Sequence, residues 1–434
     1  MIFVSGTVQD QLAMPVMAAG AIFFLYHKRH DSVLVLLFLT LTLGDSRMDA
    51  LYFVKDLRTL LMIILVAYSI WEIRAGIYTI NRYFLLYLPF LLVSLMALIF
   101  SPMLGTAISK TIAFSLLYFM GLHYIFHRFR QEGIRLLVDI MYTGHLIIFL
   151  GLILLPLFPS LVSYGGLRFN GLIGNPNGLG LYVVLLTPLT LFIFNRQPNI
   201  AQRYKTLAWI ALNVSLAICS SRNSILAVTT FWLLYTGLNG TSFRTAIFLL
   251  VILPGTFLII YNIDLQAVVE MLGLERYLRL RDIENGSGRV YAWQHALETI
   301  EKNPLIGCGF ACEEYHFFYG MSYRLWATGH QGGVHNSYLA FILNTGFVGL
   351  GFFILFVGSL IRRMGDYRYY LPFAASCALS AVFESWLFSS LNAFHIFFLT
   401  IIVFCMVDAT QHALIKAKID HEGFDNPSVI PFAQ

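Results

Sequence analysis

Long apolar segments are the feature that most constrains the fold of this chain. In lipid the backbone must satisfy its own polar groups, so segments of this length form helices that cross the bilayer. Segment 32–45 is short enough to be tilted, re-entrant or fused with a neighbour, so twelve or thirteen crossings are expected. The segments lie at about 10–26, 32–45, 57–73, 82–102, 107–126, 135–160, 177–195, 206–220, 222–239, 244–263, 336–361, 370–391 and 394–412.

The composition supports a single membrane domain. Hydrophobic residues make up 58% of the 434 positions and charged residues 12%, far from the balance of a soluble globular chain. The net charge of +5 is too small to indicate nucleic-acid binding. The N-terminus lacks the basic start and small-residue cleavage site of a signal peptide, so the first apolar segment is expected to remain a helix. We therefore expect an all-α, polytopic membrane domain over residues 1–434.

The distribution of lysine and arginine predicts the orientation, because positive residues beside membrane helices are retained in the cytoplasm. One set of alternate helix ends carries sixteen: Lys28, Arg29, Arg74, Arg82, Arg128, Arg130, Arg135, Arg196, Arg203, Lys205, Arg244, Arg362, Arg363, Arg368, Lys416 and Lys418. The opposite set carries six outside the long loop: Arg47, Lys55, Arg58, Lys110, Arg168 and Arg222. The first set is predicted to be cytoplasmic, together with the tail at 413–434. The N-terminus is external only if all thirteen segments cross the membrane.

Residues 264–335 form one long external loop, and loops of this length are usually functional. Within it, RVYAWQHALETIE places Val290, Trp293, Leu297 and Ile300 at helical spacing. This pattern predicts an amphipathic helix at the membrane surface that Pro304 ends.

Polar side chains on the predicted external face are candidate site residues, since charge near a bilayer is costly. They are Asn175 and Asn177 in RFNGLIGNPNGLGLY, Arg222 in CSSRNS, Arg289 in NGSGRVYAW, and His335 and Asn336 in GGVHNSYL.

Each candidate also has a structural interpretation. Arg222 is explained as a helix-end anchor whose charge reaches the interface, and Arg289 as a surface residue of an amphipathic helix. His335 is explained as a helix N-terminal residue, and the NPN sequence as a turn with a helix cap. No single residue decides between the two interpretations, whereas their order and spacing together are more specific.

That order resembles the O-antigen ligase and O-antigen polymerase superfamily. The resemblance is carried by GNPNGLG (174–180), the SR of CSSRNS, SGRVYAWQHALETIEKNPLIGCGF (287–310) and VHNSYLAFILNTGFVGLGFF (334–353). The Arg-x-x-x-Trp, Pro-x-x-Gly-x-Gly and His-Asn elements of the family are Arg289 to Trp293, Pro304 to Gly309, and His335-Asn336. The N-terminal third resembles the family only as a pattern of helices.

The resemblance implies a metal-independent, inverting glycosyltransferase of the membrane C-type fold that needs no cofactor. It would use a glycan on undecaprenyl diphosphate as donor, at the periplasmic face of a bacterial inner membrane. Arg222 and Arg289 would hold the diphosphate, and His335 would be the catalytic or acceptor-orienting residue. Lys55 and Arg58, which the charge distribution also places outside, would add charge to the diphosphate site, although anchoring of a helix end explains them equally well. Asn175, Asn177, Asn336 and Trp293 would support it.

The sequence leaves two alternatives open, a different catalytic base and a bound metal ion. Glu313 and Glu314 lie on the same loop as His335 and are alternative bases. The chain has no Asp-x-Asp, the usual sequence sign of a metal–diphosphate clamp. Cysteine and histidine residues of the loop match no compact zinc pattern, and the two cysteines can pair or remain reduced. These residues are Cys308, Cys312, His316, His330 and His335.

Three functions compete at this point. A ligase transfers the glycan to the lipid A-core oligosaccharide, and the single long loop before His-Asn favours it. An O-antigen or exopolysaccharide polymerase would use the same donor and transfer the glycan to another lipid-linked repeat. A polytopic lipid or glycan transporter would be expected to carry charges at mid-membrane and to show repeated halves, which this sequence lacks.

Overall fold

A computed structural model of the chain describes residues 10–46, 48, 51, 53–164, 168–240, 289–319, 332–389 and 391–422. These residues are helical almost throughout, apart from a hairpin of two short strands, β1 Ser163–Tyr164 and β2 Arg168–Phe169. The helices are α1 Asp10–Tyr26, α2 His30–Leu43, α3 Val54–Arg74, α4 Arg82–Leu85, α5 Leu88–Ala97, α6 Leu104–Met120, α7 Phe126–Glu132, α8 Ile134–Leu157, α9 Pro159–Val162, α10 Pro176–Arg196, α11 Gln202–Cys219, α12 Arg222–Asn239, α13 Arg289–Ile300, α14 Cys312–Glu314, α15 Ser337–Ile361, α16 Tyr367–Phe383 and α17 Ala393–Glu422.

The predicted all-α fold of a polytopic membrane protein is confirmed. Helices occupy every predicted apolar segment except 244–263, which lies outside the described residues. Among the described residues, six helices are long and apolar enough to cross a membrane. They are Arg82–Phe100, Leu104–Glu132, Ile134–Leu157, Pro176–Arg196, Ser337–Ile361 and Ala393–Gln411. The predicted short segment 32–45 is the short apolar helix α2.

One predicted segment ends earlier than expected. Segment 370–391 was expected to be helical throughout, but α16 ends at Phe383. Glu384 is extended, with φ −145° and ψ 141°, and a single 3₁₀ turn follows at Trp386–Phe388. This irregular stretch places Glu384 among polar groups that are distant in sequence.

Two helices form the centre of the bundle. Of an apolar 18-residue stretch of α10, 83% is buried inside the protein. The corresponding share for α17 is 78%. By contrast, only 28% of the Arg82–Phe100 span is buried, so that helix faces outward. The central helix α10 begins at the Asn-Pro-Asn turn, and the polar end of the core is therefore built around that turn.

Helix α13 forms as predicted, but its buried face differs from the predicted one. Ala292, Ala296 and Ile300 are buried, whereas Val290 and Leu297 are 47% and 50% exposed. The small alanines let α13 pack closely against α15, and the exposed apolar pair lies beside this buried face. The position of this pair at a membrane surface stays a prediction. Of the predicted long loop at 264–335, only 289–319 and 332–335 lie among the described residues.

Helix α15 is broken at Gly346, which has φ 68° and ψ −179°. The Pro-x-x-Gly-x-Gly loop supplies the hydrogen bonds that the break removes. The amide N–H groups of Cys308 and Gly309 donate to the carbonyls of Leu343 and Asn344, at 3.0 and 2.9 Å.

The backbone N–H groups that follow the break also donate hydrogen bonds to this loop. Phe347 N–H donates to the carbonyl of Pro304 at 2.8 Å, and Val348 N–H donates to that of Leu305 at 3.2 Å. Non-helical backbone at membrane depth is tolerated only where protein covers it, and here the loop provides that cover. The motif therefore fixes the loop that follows α13 to the helix that begins after His335.

Contacts between distant segments place the predicted external residues at one end of the bundle. Lys110 near the start of α6 forms an ion pair with Glu314 of the long loop. Ser101, just before α6, donates its hydroxyl to the carbonyl of Phe310 at 3.1 Å. The end of α3 at Arg74 and the last turn of α7 at Arg130 lie at the opposite end. Arg47 and the tail beyond Glu422 lie outside the described residues.

Candidate active site

Glu384 joins three of the predicted site residues. Its Oε1 accepts hydrogen bonds from Arg289 Nη2 at 2.8 Å and from Asn177 Nδ2 at 3.2 Å. Its Oε2 lies 3.4 Å from Nδ1 of His335. We call these four residues, Glu384, Arg289, Asn177 and His335, the Glu384 cluster.

The cluster is partly open. The side chains of Arg289, His335 and Glu384 are 22%, 30% and 17% exposed. Such intermediate exposure strengthens charge interactions relative to bulk water while leaving access for a ligand. The cluster therefore combines a cation, a carboxylate and an imidazole at the edge of an apolar bundle.

The backbone around His335 is held in an uncommon conformation. His335 has φ 50°, a left-handed geometry that is infrequent outside glycine. The neighbouring Val334 is held on both sides, because its N–H donates to Glu313 Oε1 at 2.7 Å and its carbonyl accepts from Trp293 Nε1 at 3.0 Å. Such strain persists only where surrounding contacts fix it, and it is concentrated at functional sites.

The two glycines before His335 allow this packing. A Cβ atom on Gly333 would collide with the carboxylate of Glu313. A Cβ on Gly332, which has φ 105°, would lie 2.7 Å from His335 Nε2. The bare glycines therefore leave room for the Glu313 side chain and for the outer nitrogen of the imidazole.

Arg168 extends the polar network from the cluster to the turn that carries Arg222. Its Nη2 donates to Asn177 Oδ1 at 3.0 Å and to the carbonyl of Ser220 at 3.2 Å. Its Nε donates to the carbonyl of Cys219 at 3.1 Å. The carbonyls at the end of α11 are thereby satisfied, and the turn before α12 is fixed beside Asn177.

Arg222 begins α12, and a neighbouring contact places this helix end near Glu384. Asn223 donates its side-chain amide to the carbonyl of Ser380 at 3.2 Å, four residues before Glu384. Gly180 of α10 packs against Ser221 and Ser224, since a Cβ there would collide with both side chains. Close packing of α10, α12 and α16 thus brings the first turn of α12 to the same end as the cluster.

Two of the predicted supporting residues cap helices. Asn175 Oδ1 accepts from Gly178 N–H at 2.7 Å and caps α10. Asn336 Oδ1 accepts from Leu339 N–H at 3.0 Å and caps α15. The capping interpretation therefore applies to these asparagines, and His335 is not the residue whose side chain caps α15.

The remaining charged candidates make no described contact with the Glu384 cluster. Arg58 Nη1 forms an ion pair with Asp45 at 3.2 Å, close to the Gly174 backbone, and Lys55 is exposed on the first turn of α3. Within the described residues, no hydrogen bond or ion pair joins Lys55 or Arg58 to the Glu384 cluster. Glu314 is paired with Lys110.

Cys308 and Cys312 form a disulfide bond, one of the two predicted alternatives. His316 lies close to both sulfurs, and the potential ligand atoms of these three residues fall within 4.8 Å of one another. Burial lowers the pKa of the His316 imidazole, and His295 and Lys302 lower it further by charge repulsion. A disulfide offers no thiolate to a metal, and His335 is not part of this group. His330 lies outside the described residues.

Glu384 and Arg168 were missed as site residues in the sequence. Arg168 stands in the RFNG sequence just before the Asn-Pro-Asn turn, but was assigned only to the external set of charges. Glu384 lies in an apolar segment read as a membrane helix. An acidic residue at such a position is costly and tends to mark function, so the sequence did carry a signal for it.

The fold and the site define a polytopic all-α membrane protein with a polar cluster at one end of its helices. Residues 206–354 match the O-antigen ligase family. This match confirms the resemblance to the O-antigen ligase and polymerase superfamily, whose members are ligases and polymerases that act as glycosyltransferases. No curated protein matches the chain. The matched segment contains Arg222, Arg289 and His335, whereas Asn177 and Glu384 lie outside it.

Proposed function

We propose that this protein is an O-antigen ligase. It transfers a glycan from undecaprenyl diphosphate to the lipid A-core oligosaccharide at the periplasmic face of a bacterial inner membrane. The observation that carries the proposal is the pairing of Glu384 with both His335 and Arg289. This arrangement couples a proton acceptor to a cation at the membrane end where a lipid-linked donor would present its diphosphate.

His335 acts as the base in this proposal. With its Nδ1–H directed to Glu384 Oε2, the imidazole takes up the proton of an acceptor hydroxyl at Nε2. The glycine at position 332 lets the backbone pack against the ring, since a Cβ there would lie 2.7 Å from Nε2. Glu384 also stabilises the imidazolium that forms after the proton is taken, as carboxylates do in other histidine-dependent sites.

Arg222 and Arg289 act on the leaving group. The acceptor oxygen forms a bond to the anomeric carbon as the bond from that carbon to the diphosphate oxygen breaks, with inversion at the carbon. Negative charge grows on the diphosphate, and guanidinium groups meet it with paired N–H donors. A guanidinium carries five N–H groups, and the contact of Arg289 with Glu384 uses one of its two Nη atoms. Two arginines thus take the place of a metal ion.

The cell's lipopolysaccharide distinguishes the candidate functions. Deleting the gene should leave the lipid A-core uncapped while the lipid-linked glycan accumulates, and the wild-type gene should restore capping. Gel electrophoresis of lipopolysaccharide measures the loss of capping and its restoration. A core that carries one repeat would instead identify a polymerase. A glycan that fails to reach the periplasmic side would identify a transporter and contradict the proposal.

A further inference from the structure

A cavity with a partly polar lining lies at the opposite end of the bundle from the Glu384 cluster. Its volume is about 600 Å³, and its polar lining includes Tyr78, Asn81, Arg82, His127 and Arg130. The continuous helix Leu104–Glu132 connects the two ends. Lys110 contacts Glu314 of the long loop, and Arg130 is twenty residues further along this helix, or about 30 Å at 1.5 Å per residue. The cavity is therefore one membrane thickness from the candidate active site.

The lining carries positive charge and no acidic side chain among its described residues. Arg82 and Arg130 supply two exposed guanidinium groups. Arg363 adds a third close by, because its guanidinium and that of Arg82 lie 5.1 and 5.2 Å from the centre of the Tyr83 ring. An anion in this cavity would meet several donors of the kind that bind phosphate bidentately.

A buried carboxylate close to Tyr78 of this lining is already paired. Glu72, at the end of α3, forms an ion pair with Arg128, and both side chains are 4% exposed. Arg128 therefore balances the charge of Glu72, and the guanidiniums that line the cavity are not needed for this. The net field in the cavity favours an anion.

The wall of the cavity is built from a fixed loop. Asn81 donates its side-chain amide to the carbonyl of Leu122 at 2.6 Å, and its backbone N–H donates to Nε2 of His123 at 3.1 Å. The other ring nitrogen of His123 lies 2.9 Å from the carbonyl of Phe119. These bonds attach the loop before α4 to a π-helical turn at Gly121–Ile125, a distortion that is frequent at functional sites.

Apolar side chains continue the wall. Ile80, Leu122, Phe126 and Val407 line the same cavity as the arginines. A free anion would contact only the charged side chains. A lipid headgroup with its attached glycerol would contact both the charged and the apolar side chains. The distribution of lysine and arginine also predicts that this end faces the cytoplasmic leaflet, where anionic lipids meet basic pockets between helices.

We propose that this basic cavity binds the phosphate headgroup of an anionic phospholipid. Arg82 and Arg130 hold the phosphate, and the apolar wall holds the glycerol and the start of the acyl chains. The site is separate from the Glu384 cluster, and the proposal does not depend on the proposed glycosyl transfer.

Native mass spectrometry of the purified full-length protein in detergent tests this site. The wild-type protein should retain phosphatidylglycerol or cardiolipin in preference to phosphatidylethanolamine. The double variant Arg82→Gln with Arg130→Gln should bind these anionic lipids about tenfold more weakly, because two charge-assisted contacts are lost. Arg82→Lys with Arg130→Lys should restore much of the binding.

A matched double variant controls for general charge. Arg74→Gln with Arg203→Gln removes two arginines of the predicted cytoplasmic set that do not line the cavity, and it should bind like the wild type. Thermal unfolding of each variant shows whether it is folded. Equal loss in both double variants, or equal retention of phosphatidylethanolamine, would overturn the proposal. Displacement of the lipid by inorganic phosphate at equal concentration would assign the cavity to a free anion and would overturn the lipid assignment.

Discussion

Replacing Glu384 with alanine is expected to lower glycan transfer by about 100-fold, within the range of about 10-fold to 10,000-fold for residues that orient catalytic groups. Its carboxylate contacts Arg289, Asn177 and His335, so the substitution removes a partner from all three at once. The effect should fall on kcat more than on the KM for the donor, since the residue positions the base and stabilises its protonated form. Initial rates of transfer by purified protein measure both constants.

Two further variants make the test specific. Glu384→Gln keeps the size of the side chain and one acceptor oxygen but loses the charge, and it should retain an intermediate rate. Glu301→Ala removes an exposed acid just after α13 and should behave like the wild type. A folded Glu384→Ala protein with a wild-type rate would show that the cluster is structural only.

Replacing Arg222 or Arg289 with alanine is expected to lower transfer by about 30-fold to 1,000-fold. Each would lose a charge-assisted contact to the leaving diphosphate that is worth roughly 2–4 kcal/mol in a partly dry site. Lysine at either position should restore only part of the rate, because it keeps the charge but loses the planar fork. Initial rates with saturating acceptor measure these losses.

Lys302→Ala provides a matched control, since Lys302 is an exposed cation just after α13 that is not a candidate site residue. It should transfer at nearly the wild-type rate. The wild-type protein should also remain active in EDTA if arginines meet the diphosphate. Activity that EDTA abolishes and magnesium or zinc restores would contradict the assignment of the arginines.

The helices could be predicted because their signal is local. Apolar length alone places α10 at Pro176–Arg196 and α12 at Arg222–Asn239, close to the predicted 177–195 and 222–239. His335-Asn336 and Arg289 could also be identified from the sequence, since they lie in short motifs at the start of helices. Local pattern therefore accounts for most of the fold and for part of the site.

Glu384 could not be placed from local pattern because its position depends on distant contacts. Ser337 donates its hydroxyl to the Glu384 carbonyl at 2.6 Å, and Asn336 N–H donates to Ser385 Oγ at 3.1 Å. These bonds, formed with residues nearly fifty positions earlier, hold the chain extended where its apolar character predicted helix. The break at Gly346 was hidden for the same reason, since the loop that satisfies it comes from another part of the sequence.

The structure adds a contact to the roles predicted for two loop residues. Trp293 is predicted to support the site and Glu313 to be an alternative base. Both hold the backbone of Val334, one at its carbonyl and one at its N–H. Glu313 is buried at 8% exposure, and its Oε1 accepts the hydrogen bond from Val334 N–H at 2.7 Å.

The most direct test of the account is to measure donor binding and transfer side by side on folded His335→Ala. If His335 takes the acceptor proton, the variant should bind the undecaprenyl diphosphate-linked glycan with nearly wild-type affinity and transfer it about 1,000-fold more slowly. Raising the donor concentration should not restore the rate. If His335 only stabilises the start of α15, the variant should lose about 1 kcal/mol of stability and its folded fraction should transfer normally. Substantial transfer by the folded variant would contradict the central claim and leave Glu313 and Glu314 as the candidate bases.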